Sequence, residues 1–136
     1  MDESILSAGL NTAEIWLKEL RRDLEMSDQD AYRALRATLH QLRDNLPVEE
    51  ATDLAAPLPL IFKGVYYDGY NPAGKPLRHD DLVFISRVHS QFDNDPQIDP
   101  RELVRKVFAF LAAKLPQGQV KHVKDNLPQG LVSLWP

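Results

Sequence analysis

The sequence contains no cysteine, which excludes disulfides, thiolate metal sites and cysteine nucleophiles. Glycine is scarce, with six in 136 residues. No Gly-x-Ser-x-Gly elbow, phosphate-cradling loop or dinucleotide fingerprint is present. No apolar run approaches the roughly 20 residues of a membrane span, so no membrane association is expected. Excess positive charge is also missing. The net charge is −4 and the pI about 5.5, whereas bulk electrostatic binding of nucleic acid needs concentrated Lys and Arg. The acidic start, Met1-Asp2-Glu3-Ser4, lacks the basic-then-apolar pattern of a secretory signal. By elimination a soluble protein of the cytoplasm is expected. What remains is 43% apolar and 26% charged, an ordinary globular mixture. A chain of this length buries roughly two-thirds of its unfolded surface, enough for one domain spanning residues 1–136.

Helical periodicity dominates. Ala13, Trp16, Leu17, Leu20 and Leu24 form one stripe, with Asn11 as the expected cap and Glu14 three residues on. A second stripe, Ala31, Leu35, Thr38, Leu39, Leu42 and Leu46, follows Ser27-Asp28-Gln29-Asp30, in which Ser27 caps and the acids face the positive end of the helix dipole. Pro47 breaks that helix and fits the first turn of the next, which turns Ala51, Leu54 and Ala55 inward. Pro57-Leu58-Pro59 introduces Leu60-Ile61-Phe62 and Val65-Tyr66, expected to form a central buried helix. Residues 68–76 hold two Gly and two Pro and read as a loop dividing two halves. Beyond it Leu82, Ile85, Val88 and Phe92 form a stripe, and Asp99-Pro100-Arg101-Glu102 opens a helix carrying Leu103, Val104, Val107, Phe108, Leu111 and Leu115. No alternating β-branched run is long enough for a strand. The fold class is all-α.

The halves resemble each other. A shift of 69 residues places Leu46-Pro47 on Leu115-Pro116 and Leu58-Pro59 on Leu127-Pro128. The same shift carries Leu35, Leu39, Leu42, Leu54, Phe62 and Tyr66 onto Val104, Phe108, Leu111, Val123, Leu131 and Trp135. A shift of 68 sets Trp16, Leu17, Leu20 and Leu24 on Phe84, Ile85, Val88 and Phe92. The expected architecture is two similar four-helix repeats, about 12–68 and 79–136, sharing one core. Residues 1–68 carry a net charge of −6 and residues 69–136 one of +2. Such halves attract within a molecule or head to tail between molecules, so a homo-oligomer is one expectation.

The segments Ala31-Tyr32-Arg33-Ala34-Leu35-Arg36-Ala37-Thr38-Leu39-His40, Leu42-Arg43-Asp44-Asn45-Leu46-Pro47, Gly64-Val65-Tyr66-Tyr67-Asp68-Gly69-Tyr70 and the final Leu134-Trp135-Pro136 resemble a bacterial helical family, domain of unknown function 2267. The resemblance covers nearly the whole chain. It implies a small cytoplasmic all-α bacterial protein, sometimes attached to regulatory modules, with no accepted activity. At Tyr70 the chain departs from the family, which usually has Trp there. No catalytic residue comes with the resemblance.

Two features could bind. The turn Tyr66-Tyr67-Asp68-Gly69-Tyr70 crowds three phenols at a helix end, where Gly69 suits a left-handed residue. Tyr67, Asp68 and Tyr70 form either a recognition surface or packing for the linker. Tyr32, Arg36, His40 and Arg43 share one helix face, as an anion site or as partners of neighbouring acids. Histidines 40, 79, 89 and 122 make no ligand pair; Asp80 and Asp81 after His79 suit a helix start better than a metal. No cofactor, metal site or catalytic residue is expected. The leading reading is a non-catalytic interaction or regulatory module with a protein partner. The alternative is a small-molecule binder or enzyme using the Tyr66–Tyr70 turn with the Arg36 and His40 face, and the candidate binding residues are Tyr67, Asp68, Tyr70, Arg36, His40 and Arg43. A third reading, nucleic-acid binding through Arg101, Arg105, Lys106, Lys114, Lys121 and Lys124, lacks interleaved aromatic side chains.

Overall fold

The computed structural model describes residues 3–136; Met1 and Asp2, part of the acidic N-terminus, lie outside the described residues. Among these residues the structure has eight helices and no strand: α1 Glu3–Leu24, α2 Asp28–Asp44, α3 Val48–Ala55, α4 Leu60–Tyr67, α5 Asp81–Ser90, α6 Pro100–Lys114, α7 Gln117–Asp125 and α8 Gln129–Val132. The all-α class is what helical periodicity requires, and its caps are largely the expected ones. The Ser27 hydroxyl accepts from the Asp30 amide, 3.1 Å, and Asp99 accepts from Glu102 with Pro100 opening α6. Asp80 accepts from the Val83 amide, 2.9 Å, which explains its acid as a cap. Pro47, Pro59, Pro116 and Pro128 each stand one residue before a short helix, with no side-chain cap. Gly69, φ +75°, takes the left-handed conformation that ends α4.

Three expectations fail. Asn11 does not begin a helix, because α1 starts two turns earlier and the Thr12 hydroxyl bonds back to the Ala8 carbonyl within it. Helix α4 is not buried all round: Phe62 and Tyr66 point inward while Leu60, Ile61 and Tyr67 are exposed, since an eight-residue helix lying on α1 and α2 covers only one face. The α5 stripe does not include Leu82, which is 67% exposed; Phe84, Ile85, Val88 and Phe92 are buried instead. That inward face is the one the 68-residue correspondence indicates.

Four helices precede the loop and four follow it. The 69-residue shift carries the first residue of α3 onto that of α7 and the first of α4 onto that of α8. Packing of the longer helices follows the same correspondence: α1 lies on α2 as α5 lies on α6, and α1 meets α6 as α5 meets α2, whereas α4 lies on α1 and α2 with no equal contact of α8 on α5 and α6. This arrangement is consistent with two repeats. One apolar cluster runs from Leu20 to Trp135. Trp16, only half-buried, sits at its edge between Phe62, 5.8 Å, and Phe110, 5.7 Å. Phe108 is fully buried, stacked on Trp135 at 4.3 Å and edge-on to Phe84 at 5.8 Å. Across the halves, Lys114 pairs with Glu19 and its ammonium lies over the Trp16 and Phe110 rings.

Because Phe108 joins α5, α6 and the C-terminal segment, Phe108→Ala is expected to lower unfolding free energy by about 3–5 kcal/mol, the range for core aromatic truncation. Urea denaturation checks this; a loss below about 1 kcal/mol would contradict the placement of that ring.

Candidate functional site

The outer row of α2 and the tyrosine turn, separate in sequence, meet in the fold. Arg43 joins them and is itself buried, 5% exposed. Its Nε and Nη2 donate to the two Asp44 carboxylate oxygens at 2.9 and 3.2 Å. Its Nη1 donates to the Tyr66 and Asp68 carbonyls, both at 2.9 Å, and the guanidinium carbon lies 5.2 Å from the centre of the Tyr70 ring. Every nitrogen of the fork is therefore engaged. A buried cation needs such pairing to offset its lost hydration, and α4, having ended at Tyr67, presents carbonyls that need donors.

The other row residues reach the same turn. Arg36 pairs with the exposed Asp68 at 3.2 Å. His40 donates from Nε2 to the Val65 carbonyl at 2.7 Å. Burial lowers the His40 pKa below the ordinary value, with the nearby Arg43 and Arg36 charges adding to the effect and the bond to Val65 opposing it. Tyr66 is buried and donates from its hydroxyl to the Ala51 carbonyl, 2.6 Å, tying α4 to α3; burial raises its pKa. Tyr67 stands edge-on to Tyr66 at 5.2 Å and remains 39% exposed. Tyr70 packs under Arg43 with its hydroxyl buried and without a partner, and burial raises its pKa too. Of the two flanking tyrosines, Tyr67 is exposed and Tyr70 is partly buried against Arg43.

Sequence reading missed the residues just beyond Arg43. The Asp44 carbonyl accepts from the Leu77 amide, 2.9 Å, and the Asn45 side chain accepts from the His79 amide, 2.6 Å, while donating to the Gln41 carbonyl. The end of α2 thus anchors both ends of the dividing loop. Nothing in residue spacing marks Asn45, because its partner lies 34 residues away. Burial lowers the pKa of His79, whose Nδ1 is buried without a partner.

Beside this junction a shallow cleft of about 300 Å³ is lined by Gln29, Tyr32, Arg33, Arg36 and Gln91. Arg33 pairs with Asp30 at 3.6 Å and lies 5.7 Å from the Phe92 ring centre. Elsewhere three basic side chains of the second half meet acids: Arg101 meets Asp81 at 2.8 Å, Arg105 meets Glu102 at 4.0 Å and Lys121 meets Asp125 at 2.9 Å. The Arg101 bond holds the Asp81 carboxyl below the usual carboxylate range. Among the described residues no group of three or more His, Cys, Asp or Glu is placed to hold a metal, and no helix is long and apolar enough to cross a membrane.

An all-α protein with, among the described residues, eight helices and a buried arginine joining two of them is the class that fold and site define. Residues 13–134 match the family described as "Uncharacterized conserved protein (DUF2267)", and the chain belongs to that family. No match was found among curated proteins.

Two outcomes are expected from this geometry. Arg43→Met leaves the Tyr66 and Asp68 carbonyls without their donor and Asp44 without its cation, and should cost about 3–5 kcal/mol, as for a broken buried pair; Arg43→Lys should recover only part, since an ammonium cannot span the same acceptors. Urea titration of the three proteins checks the order. The second outcome concerns pH. A histidine whose folded pKa is depressed binds more protons when unfolded, so its contribution is complete above the unfolded value of about 6.5 and is lost as pH falls through the lower folded value. Wild-type stability should therefore drop more steeply than that of His40→Gln between pH 7.5 and 5. Parallel curves would show that His40 does not titrate differently on folding.

Proposed function

We propose that this protein is a non-catalytic interaction or regulatory module that recognises a protein partner through the face where α2 meets the end of α4. One observation carries the proposal: Tyr32 and Tyr67, each 39% exposed, stand on the same face as the partly exposed Arg36, which pairs with Asp68, and the turn that carries Tyr67 is held from within by Arg43. Tyrosine and arginine dominate the energetics of protein interfaces. Rigid backbone beneath them reduces the entropy lost when a partner binds, and tyrosine freezes few rotamers for its contact area. A bacterial cytoplasmic setting, suggested by the family resemblance, belongs to the same proposal, as does the reading of the two halves as repeats within one domain.

The cleft at Gln29, Tyr32, Arg33, Arg36 and Gln91 favours a second reading, a small-molecule binder whose ligand bears a carboxylate or phosphate. Nucleic-acid binding is the weaker proposal, because Arg101, Arg105, Lys114 and Lys121 all pair with acids of the chain itself.

Tyr32→Ala with Tyr67→Ala should leave stability within about 1 kcal/mol, as for surface changes, and abolish retention of the proteins that immobilised wild type captures from its own cell extract. An unchanged set of captured proteins on the folded double variant would overturn the interaction reading. Chemical-shift changes at the Arg33 and Arg36 side chains on titration with inorganic phosphate, absent from the remaining arginines, would favour the small-molecule reading instead.

A further inference from the structure

The tetrapeptide Asp-Asn-Leu-Pro occurs twice, at 44–47 and at 125–128. The copies lie 81 residues apart rather than the 69 that relate the two halves, so the recurrence is separate from the internal correspondence. Both copies end a helix in the same way. Asn45 caps α2 with φ −101° and ψ 4°, and Asn126 caps α7 with φ −109° and ψ 7°. Each donates from Nδ2 to the carbonyl four residues back, at 2.8 Å in both cases. With the side-chain nitrogen so occupied, each helix end keeps two acceptors, the Asn Oδ1 and the carbonyl of the preceding Asp.

At the first copy both acceptors are filled. The Leu77 amide donates to the Asp44 carbonyl, 2.9 Å, and the His79 amide donates to Asn45 Oδ1, 2.6 Å. The donors are alternate residues of one stretch of the linker, which crosses the end of α2. At the second copy the Asp125 carbonyl and Asn126 Oδ1 receive no donor among the described residues, and Asn126 is only partly buried. The chain therefore shows what this motif holds in one place and leaves the same motif open in another.

The open copy lines a cleft of about 390 Å³ together with Asn45, Pro47 and Arg78. The acids of the two motifs already have cations, Arg43 for Asp44 and Lys121 for Asp125. Arg78 makes no ion pair among the described residues. Its φ of +56° lies in the left-handed region, which a long side chain adopts at a cost and which concentrates at binding sites. The cleft thus offers two acceptors without donors, an apolar part at Pro47, Leu127 and Pro128, and a cation without a counter-ion.

We infer that this cleft binds an extended peptide segment of a partner protein, which donates two alternate amides to the Asp125 carbonyl and Asn126 Oδ1 and sets a neighbouring Asp or Glu against Arg78. The segment repeats at α7 what residues 77–79 do at α2. Alternate residues of an extended chain present their amides to the same side, because the repeat is two residues. Main-chain bonds of this kind supply affinity and the flanking side chains supply selectivity, here through a charge-assisted bond to the guanidinium. The site uses neither Tyr32, Arg36 nor Tyr67, so it stands or falls separately from the α2–α4 face.

Titration of the full nitrogen-15-labelled chain with acetyl-Ala-Glu-Leu-Glu-Ala-amide tests the inference by nuclear magnetic resonance, up to about 10 mM because short peptides bind weakly. Saturable shifts are expected at residues 125–128, at the Asn126 side-chain amide and at Arg78. The same peptide N-methylated at its third and fourth residues, which leaves no alternate pair of donors, should produce none of them. Replacing both Glu by Lys should weaken binding by about tenfold or more, the scale of one charge-assisted bond. Asn126→Ala should abolish the shifts. Arg78→Gly, which the left-handed backbone accepts, should keep the wild-type thermal transition and lose the preference for the Glu peptide. Absence of saturable shifts at 125–128 overturns the inference, and so does an N-methylated peptide that binds as tightly as its parent. A Lys peptide as tight as the Glu peptide, or an unchanged Glu preference in Arg78→Gly, overturns the role of Arg78. Equal shifts from sodium acetate or sodium phosphate alone would assign the cleft to a small anion and overturn the peptide.

Discussion

A guanidinium removed from water dictates much of how this chain is assembled. Arg43 cannot be buried unless each of its nitrogens finds an acceptor, and the acceptors come from its own neighbour Asp44 and from two carbonyls at the end of α4. Satisfying the cation therefore fixes where α4 must end and how it crosses α2. It also satisfies carbonyls that the helix terminus would otherwise leave unpaired. The next two residues extend the arrangement to the loop, so that three consecutive polar positions hold the turn, the linker and the approach to α5. A hydrophobic side chain at position 43 could fill the space, but it could not select among ways of laying α4 on α2.

The short helices follow a different logic. None of α3, α4, α7 or α8 has a side-chain cap, and each is headed by proline. Proline has no amide hydrogen to leave unsatisfied and presets φ for the helix that follows. Helices of four to nine residues are too short to be stable alone. Their stability must come from buried anchors, Leu54, Phe62, Val123 and Leu131 among them. Local signals set the boundaries of these helices and tertiary packing supplies the free energy.

That division explains what was legible in the sequence. Caps such as Ser27 and Asp99 act over three residues, so they could be read directly, as could the Gly- and Pro-rich loop. Asn11 had the same appearance but stands inside α1, where the chain before it is already helical. Leu82 and Phe84 show the limit of periodicity: a ten-residue helix admits two plausible stripes, and the internal correspondence with Trp16 selects the correct one. For the candidate site, spacing identified the row Tyr32, Arg36, His40 and Arg43 and the tyrosine turn as separate features. Their meeting depends on contacts across 23 to 32 residues, which no local pattern encodes. Whether a row residue would be buried or exposed was hidden for the same reason, and so Arg43 and Tyr70 became framework while Arg36 and Tyr67 stayed outside.

The two tryptophans stand one in each half and in unlike surroundings. Trp16 is half-buried at the rim of the core beneath the Lys114 ammonium, whereas Trp135 lies stacked on Phe108 with its indole nitrogen buried. Water reaches the first ring in the native state and is largely kept from the second. The protein thus carries two native fluorophores of different polarity, one at each end of the sequence. Replacing Trp135 by phenylalanine leaves Trp16, which touches both halves through Phe62 and Phe110 and reports when they part, whereas replacing Trp16 leaves Trp135, which reports on the second half through Phe108, so the two events can be followed without attaching a label.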